Sequence, residues 1–255
     1  MRRAIFFQKG GVGKFSIAVN LATVSGEASV KTLSVDLDGP GNSTHYIVGE
    51  PSEPLRGVED FFQDQLFLYP REPVTPLIHQ IVYDNLSVMP SGRGQLELEH
   101  KLESRRKMYK LEEDLDELMR EFDRIYLATP PALNFFSWWA IIAADQIVVP
   151  FDCGRFSKQA RYQLTETIKK IKADHNAQLS LEAIIPAQVP ATANLPQQLI
   201  DELKADSLTV SKTTLSSSAI MRDSHERTKP SVHLKPKHCL NLEFEASFQE
   251  LGSMR

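Results

Sequence analysis

The segment Gln8-Lys9-Gly10-Gly11-Val12-Gly13-Lys14-Phe15-Ser16 gathers three glycines, two lysines and a hydroxyl side chain. Glycines let backbone N–H groups turn inward and let an anion come close to the chain, and Lys14 adds a point charge. The chemistry this suits is the holding of phosphate oxygens. It requires the string to join a strand to a helix, because the helix N-terminus supplies further partial positive charge. A turn that only reverses the chain needs neither Lys14 nor that context.

The flanks provide the context. Residues 3–7 read as a short buried strand, and Ile17, Leu21 and Val24 recur at helical spacing over residues 14–26. Further strands are expected at 31–37, Leu86–Met89, Ile125–Leu127, Gln146–Pro150, Leu181–Ile185 and, briefly, near 208–210. Helices are expected over 95–122, through Trp138–Ala144, and over 157–173, 195–205 and 240–251. Residues 51–76 carry five prolines and read as loop with a short helix near Val58–Phe62. Strands alternating with helices predict an α/β fold: a mainly parallel twisted sheet with helices on both faces. A length of 255 residues suits one domain over 1–255.

With the loop in that setting, Lys9-Gly10-Gly11-Val12-Gly13-Lys14 resembles the deviant Walker A loop of the ParA/MinD family of P-loop ATPases, marked by its early lysine. The resemblance continues in order along most of the chain. Val35-Asp36-Leu37-Asp38 followed by Gly41-Asn42-Ser43-Thr44 is similar to the family's switch segment. Thr129-Pro130-Pro131-Ala132-Leu133 with Ala143-Ala144-Asp145 is similar to its second phosphate-side strand, and Met221–Glu226 with Lys229-Pro230 to a ParA-like C-terminal stretch. The resemblance implies ATP or ADP on Gly10, Gly11, Val12, Gly13, Lys14, Phe15 and Ser16. It implies that Lys9 reaches the partner's nucleotide across a homodimer and that Asp38 helps position the attacking water. It also implies a DNA-partition or cargo-positioning role, non-specific DNA as a ligand, and a stimulating partner protein or cargo adaptor.

Three departures fall on one function. The family's magnesium-binding Ser or Thr after the loop lysine is Phe15 here; its strand-end aspartate before Thr-Pro-Pro is Ala128; its Pro-Gln after the switch aspartate is Gly39-Pro40. Phe15 cannot ligate and is expected to press its ring toward the metal position. Ser16 matches the family's second hydroxyl, which contacts a nearer phosphate. Asp36 is left as a weak candidate to hold a hydrated ion, so Mg²⁺ is doubtful and hydrolysis is expected to be impaired. The rival reading is a non-hydrolysing pseudo-ATPase that acts as a scaffold or interaction protein.

The remaining composition is ordinary for a globular protein, with a net charge of −4. Between Lys204 and His238, however, seven Lys and Arg face three acids. Arg222, Arg227, Lys229, Lys235 and Lys237 in that stretch are the candidate DNA contacts, with a merely solvated surface as the alternative. Two cysteines, Cys153 and Cys239, make neither a disulfide framework nor an iron–sulfur reductase, and a reducing cytoplasm is the expected setting. Cys153 reads as a buried structural residue. No apolar run approaches the roughly 18 residues of a membrane span, and the basic, apolar start is broken at Gln8-Lys9-Gly10, unlike a signal peptide. The Phe135-Phe136 and Trp138-Trp139 cluster reads as core, His225 as helix or loop surface, and the acidic terminal helix as packed on the domain.

Overall fold

The computed structural model describes residues 1–66, 74–92, 98–99, 101–102, 115–152, 158–190, 197–206 and 208–253. Its sheet is built from β1 (Arg2–Ile5), β2 (Thr32–Asp36), β3 (His79–Gln80), β4 (Leu86–Met89), β5 (Arg124–Ala128), β6 (Gln146–Asp152) and β7 (Ser180–Ala187). The strand order is β3-β4-β2-β5-β1-β6-β7, parallel throughout except that β3 runs antiparallel to β4. The central strands are buried in nearly every position, β2 throughout and β5 in all but Arg124, as strands covered on both faces must be.

Alternation along those strands feeds two separate cores. Ala4, Leu33, Val35, Ile125, Leu127, Ile147 and Val149 join one cluster. It is closed by α3 (Val58–Leu66), α4 (Phe135–Ala143) and α5 (Lys158–Asp174). Ile5, Tyr126, Ala128 and Val148 point the other way, toward α1 (Lys14–Glu27), α2 (Asn42–Val48), α7 (Ala219–Glu226), α8 (Ser231–Leu234) and α9 (Cys239–Ser253). Between β7 and α7 runs α6 (Gln197–Ala205). The expected α/β fold with helices on both faces is what forms.

Local chemistry explains several elements. The Asn134 side chain accepts the Ser137 N–H and caps α4, whose Phe135, Phe136 and Trp139 are buried as expected. Trp139 lies 4.1 Å, centroid to centroid, from Phe62 of α3. The terminal helix α9 buries Leu240, Phe244 and Leu251, while Leu242 stays exposed. Two of its acids bind backbone: Glu243 accepts from Ser216 N–H, and Glu250 from Lys212 and Thr213 N–H.

Some expectations need correction. The helices α2, α7 and α8 and the antiparallel edge strand β3 were not anticipated, being too short for periodicity to register. The strand near 208–210 amounts to an isolated bridge between Ile184 and Val210. Of the stripe over 95–122, Leu98, Leu102, Leu115 and Leu118 are buried in the core, whereas Met108 and Leu111 lie outside the described residues, as does Cys153.

Candidate functional site

The C-terminal ends of β1, β2 and β5 converge. Register pairs Ile5 with Ala128 and Asp36 with Ala128 on the parallel ladder, and Thr129 Oγ1 donates to the Ile5 carbonyl at 2.7 Å. In open parallel sheets, ligands bind in the crevice beyond these carboxyl ends. The loop after β1 enters it.

Two glycines make the loop's shape possible. Gly11 has φ of 76° and Gly13, the residue before α1, has φ of 83°, both in the left-handed region that a side chain disfavours. Gly10 and Gly11 are exposed and Val12 is buried. The Gln188 side chain donates to the Gly11 carbonyl at 2.7 Å, bracing the loop from the segment after β7. Lys14 folds back inside the turn and donates through Nζ to the Lys9 carbonyl at 2.6 Å. Burial pulls the Lys14 ammonium down to about 8, while the charge of Asp38 opposes the shift. Lys9 lines a cavity of about 240 Å³ with Gln8, Gln159 and Gln163.

The metal side is arranged differently. Asp36 is fully buried, and its oxygens accept from Asp38 N–H at 3.1 Å, Thr44 N–H at 2.8 Å and Thr44 Oγ1 at 2.9 Å. Burial raises its carboxyl to about 7 in spite of those donors. Asp38 is partly exposed; burial raises it too, with a hydrogen bond from Asn42 and the charge of Lys14 pulling the other way. Ala128, beside Asp36 in register, brings no polar side chain. Among the described residues, no group of three or more His, Cys, Asp or Glu gathers to hold a metal ion.

Phe15 departs from expectation in where its ring goes. It packs on α2 and α7, with centroids 6.2 Å from Tyr46 and 4.9 Å from His225. His225 is therefore not a surface residue: it is half-buried, 4.6 Å from Tyr46, and its Nε2 shares a hydrogen bond with Ser16 Oγ at 3.0 Å. Burial lowers the imidazole below its ordinary value. Nothing in the spacing of residue 225 relative to residue 16 announces this contact; only the folded C-terminal segment supplies it.

Beneath the loop, Tyr46 Oη accepts from Asn20 Nδ2 and Ser231 N–H, and the Ser231 hydroxyl shares its one proton between the side-chain oxygens of Asn20 and Asn241. This buried network ties α1 to α8 and α9. The five candidate DNA contacts, Arg222, Arg227, Lys229, Lys235 and Lys237, are all exposed along the same C-terminal segment.

Comparison with known proteins agrees with this geometry. An AAA domain family model matches residues 3–181. The chain is 30% identical to the chromosome partitioning protein ParA of Myxococcus xanthus over 77% of this chain and 68% of that protein. This chain belongs to the ParA/MinD family of partition ATPases. It is also 28% identical to the sporulation initiation inhibitor protein Soj of Bacillus subtilis, covering 79% and 78% of the two chains. Two solved structures share the fold of this ParA-family chain. The ATP complex of an aspartate-to-alanine variant of Cyanothece McdA superposes with a TM-score of 0.83 at 22% identity over 98% and 96% of the chains. The cobyrinic acid a,c-diamide synthase of Mycobacterium smegmatis with an ATP analogue and magnesium superposes at 0.81, with 19% identity over 97% and 92%. No helix among the described residues is long and apolar enough to cross a membrane.

Proposed function

We propose that this chain is a nucleotide-dependent, dimerising switch for DNA partition or cargo positioning, in which hydrolysis is impaired. The observation that carries the reading is the loop: left-handed Gly11 and Gly13 at the N-terminus of α1, with Lys14 turned into the curve. Backbone donors of residues 10–16, Lys14 Nζ and Ser16 Oγ hold the phosphates of ATP or ADP. Lys9, beside its cavity, reaches the nucleotide of a second copy, and Asp38 orients water. Arg222, Arg227, Lys229, Lys235 and Lys237 bind DNA weakly and without sequence preference, and a partner protein or cargo adaptor acts on the dimer.

The residues present do not fit a directly ligated Mg²⁺. Phe15 and Ala128 offer no ligand atom, and Asp36 is buried with three donors on its oxygens. What magnesium supplies in such sites is charge neutralisation at the terminal phosphates. The same residues support the second reading, a scaffold that binds nucleotide without turning it over.

Calorimetry with ADP and ATP, with Mg²⁺ or EDTA, tests the binding. Phosphate release with Mg²⁺, with and without DNA, tests turnover. ADP is expected to bind nearly as well in EDTA, and phosphate release to stay near background. Robust Mg²⁺-dependent release overturns the impaired-hydrolysis reading; no binding of either nucleotide overturns the loop assignment. Release that stays absent with DNA and with added partner protein favours the scaffold.

A further inference from the structure

A polyphosphate brings three or four negative charges, and here a loop without a fitting metal site must balance them. Lys14 and the N-terminus of α1 make two contributions. A third group is bonded to the loop itself: His225, whose Nε2 lies 3.0 Å from Ser16 Oγ. The imidazole packs against two aromatic rings, Tyr46 nearly perpendicular at 4.6 Å and Phe15 tilted by 39° at 4.9 Å.

We propose that His225 is a phosphate-site residue that takes up a proton when nucleotide binds, so that its imidazolium supplies positive charge beside Ser16. The inference rests on the loop being a nucleotide site.

The surroundings fit a neutral imidazole that becomes charged only when an anion arrives. In the free protein burial lowers its titration. From α1 it meets Phe15 and Ser16; from α2 it meets Tyr46, whose phenol burial raises, so that it stays protonated. Its own helix carries Arg222, Asp223 and Glu226, all exposed. Lys14 and Asp38 belong to the same phosphate site, and their shifts come from burial first and from each other's charge. An incoming phosphate adds negative charge near Nε2 and raises the imidazole. The sign follows by linkage. A group whose bound value lies above its free value strengthens binding fully below the free value and ceases to do so as pH rises through the bound one.

The test is ADP calorimetry in EDTA, in buffers of different ionisation enthalpy, over the range in which histidine titrates, with the wild type and His225→Gln. Glutamine can hydrogen-bond Ser16 but takes up no proton. Lys14 and the phosphate's own proton titrate in both proteins, so the difference between them is read. The wild type is expected to take up more protons than the variant and to lose about tenfold more affinity as pH rises, the consequence of a shift of about one unit. Equal proton uptake and equal pH slopes overturn the proposal, since a purely structural His225 predicts that result. If neither protein binds ADP at any pH, the loop reading falls and this inference with it. If His225→Gln fails to fold, NMR titration of the wild-type imidazole decides: a value raised by ADP supports the assignment, and an unmoved one ends it.

Discussion

The glycine loop and the ends of β2 and β5 lie side by side, yet they meet a ligand with different atoms. The loop presents backbone N–H groups, whose geometry depends on the left-handed Gly11 and Gly13 and on where α1 begins. The metal side depends on side chains, and there Phe15 at the start of α1, Ala128 at the end of β5 and the engaged Asp36 leave little for a cation. A backbone site survives side-chain substitution as long as the backbone shape does. A metal site with two or three ligands does not. The comparison predicts binding without efficient chemistry, and each half of it can be attacked separately.

The largest effect should come from rebuilding the metal side. Phe15→Ser with Ala128→Asp should raise Mg²⁺-dependent turnover on the order of a thousandfold, several kcal/mol of transition-state stabilisation. Either change alone should achieve far less, because both ligands serve one ion. Register places residue 128 beside Asp36, so Ala128→Asp alone sets two carboxylates together. It should lower the melting temperature, and Mg²⁺ should restore part of the loss in the double variant. Additive single effects on turnover would show that the two positions do not share an ion.

Next in size is the pH dependence that Asp36 imposes. Its carboxyl is raised from 3.8 to about 7 in the folded chain, so the folded state favours the protonated form. The associated stability is fully present below 3.8 and is lost as pH rises toward 7, by up to about 4 kcal/mol. Denaturant melts at several pH values, compared between the wild type and Asp36→Asn, read this directly. The variant should show the flatter profile. Parallel profiles would mean that the carboxylate is comfortable when ionised and available to a cation, which would undo the contrast between the two sides.

On the loop side, Lys14→Ala should weaken ADP about 10- to 100-fold, the worth of one charge-assisted contact, in EDTA as much as in Mg²⁺. An effect that appears only with metal would tie Lys14 to an ion after all.

The parts of this site that could be read from the sequence are those made by local runs. Residues 8–16 carry their own glycines, and the apolar strands and the α4 aromatics announce a covered parallel sheet. Helices of four to eight residues, such as α2, α7 and α8, leave no periodic trace. Contacts between distant segments leave none either: Ser16 with His225, Tyr46 with Ser231 and Gln188 with Gly11 depend on how the C-terminal half returns to the loop. Phe15 shows the division best. Its identity marks it as no metal ligand, but its ring goes to Tyr46 and His225, a direction that only the packed α2 and α7 determine.

The smallest effect should be on DNA. Arg222, Arg227, Lys229, Lys235 and Lys237 are exposed, and no base-reading motif accompanies them, so binding should ignore sequence and depend on counterion release. If nucleotide normally aligns two such faces by closing a dimer, a chain with a poor metal site should mostly present one. Each phosphate contact contributes about 0.9 to the steepness of log affinity against log salt, so five contacts cap the slope at roughly 4.5. Changing all five to Ala should remove most of that slope while altering an already weak affinity only modestly at physiological salt. Fluorescence anisotropy on random duplexes over a salt series measures both quantities. A slope untouched by the five substitutions would move the DNA surface elsewhere. Tight binding without nucleotide at physiological salt would show that one face suffices, and the link between nucleotide closure and DNA would then have to be abandoned for this chain.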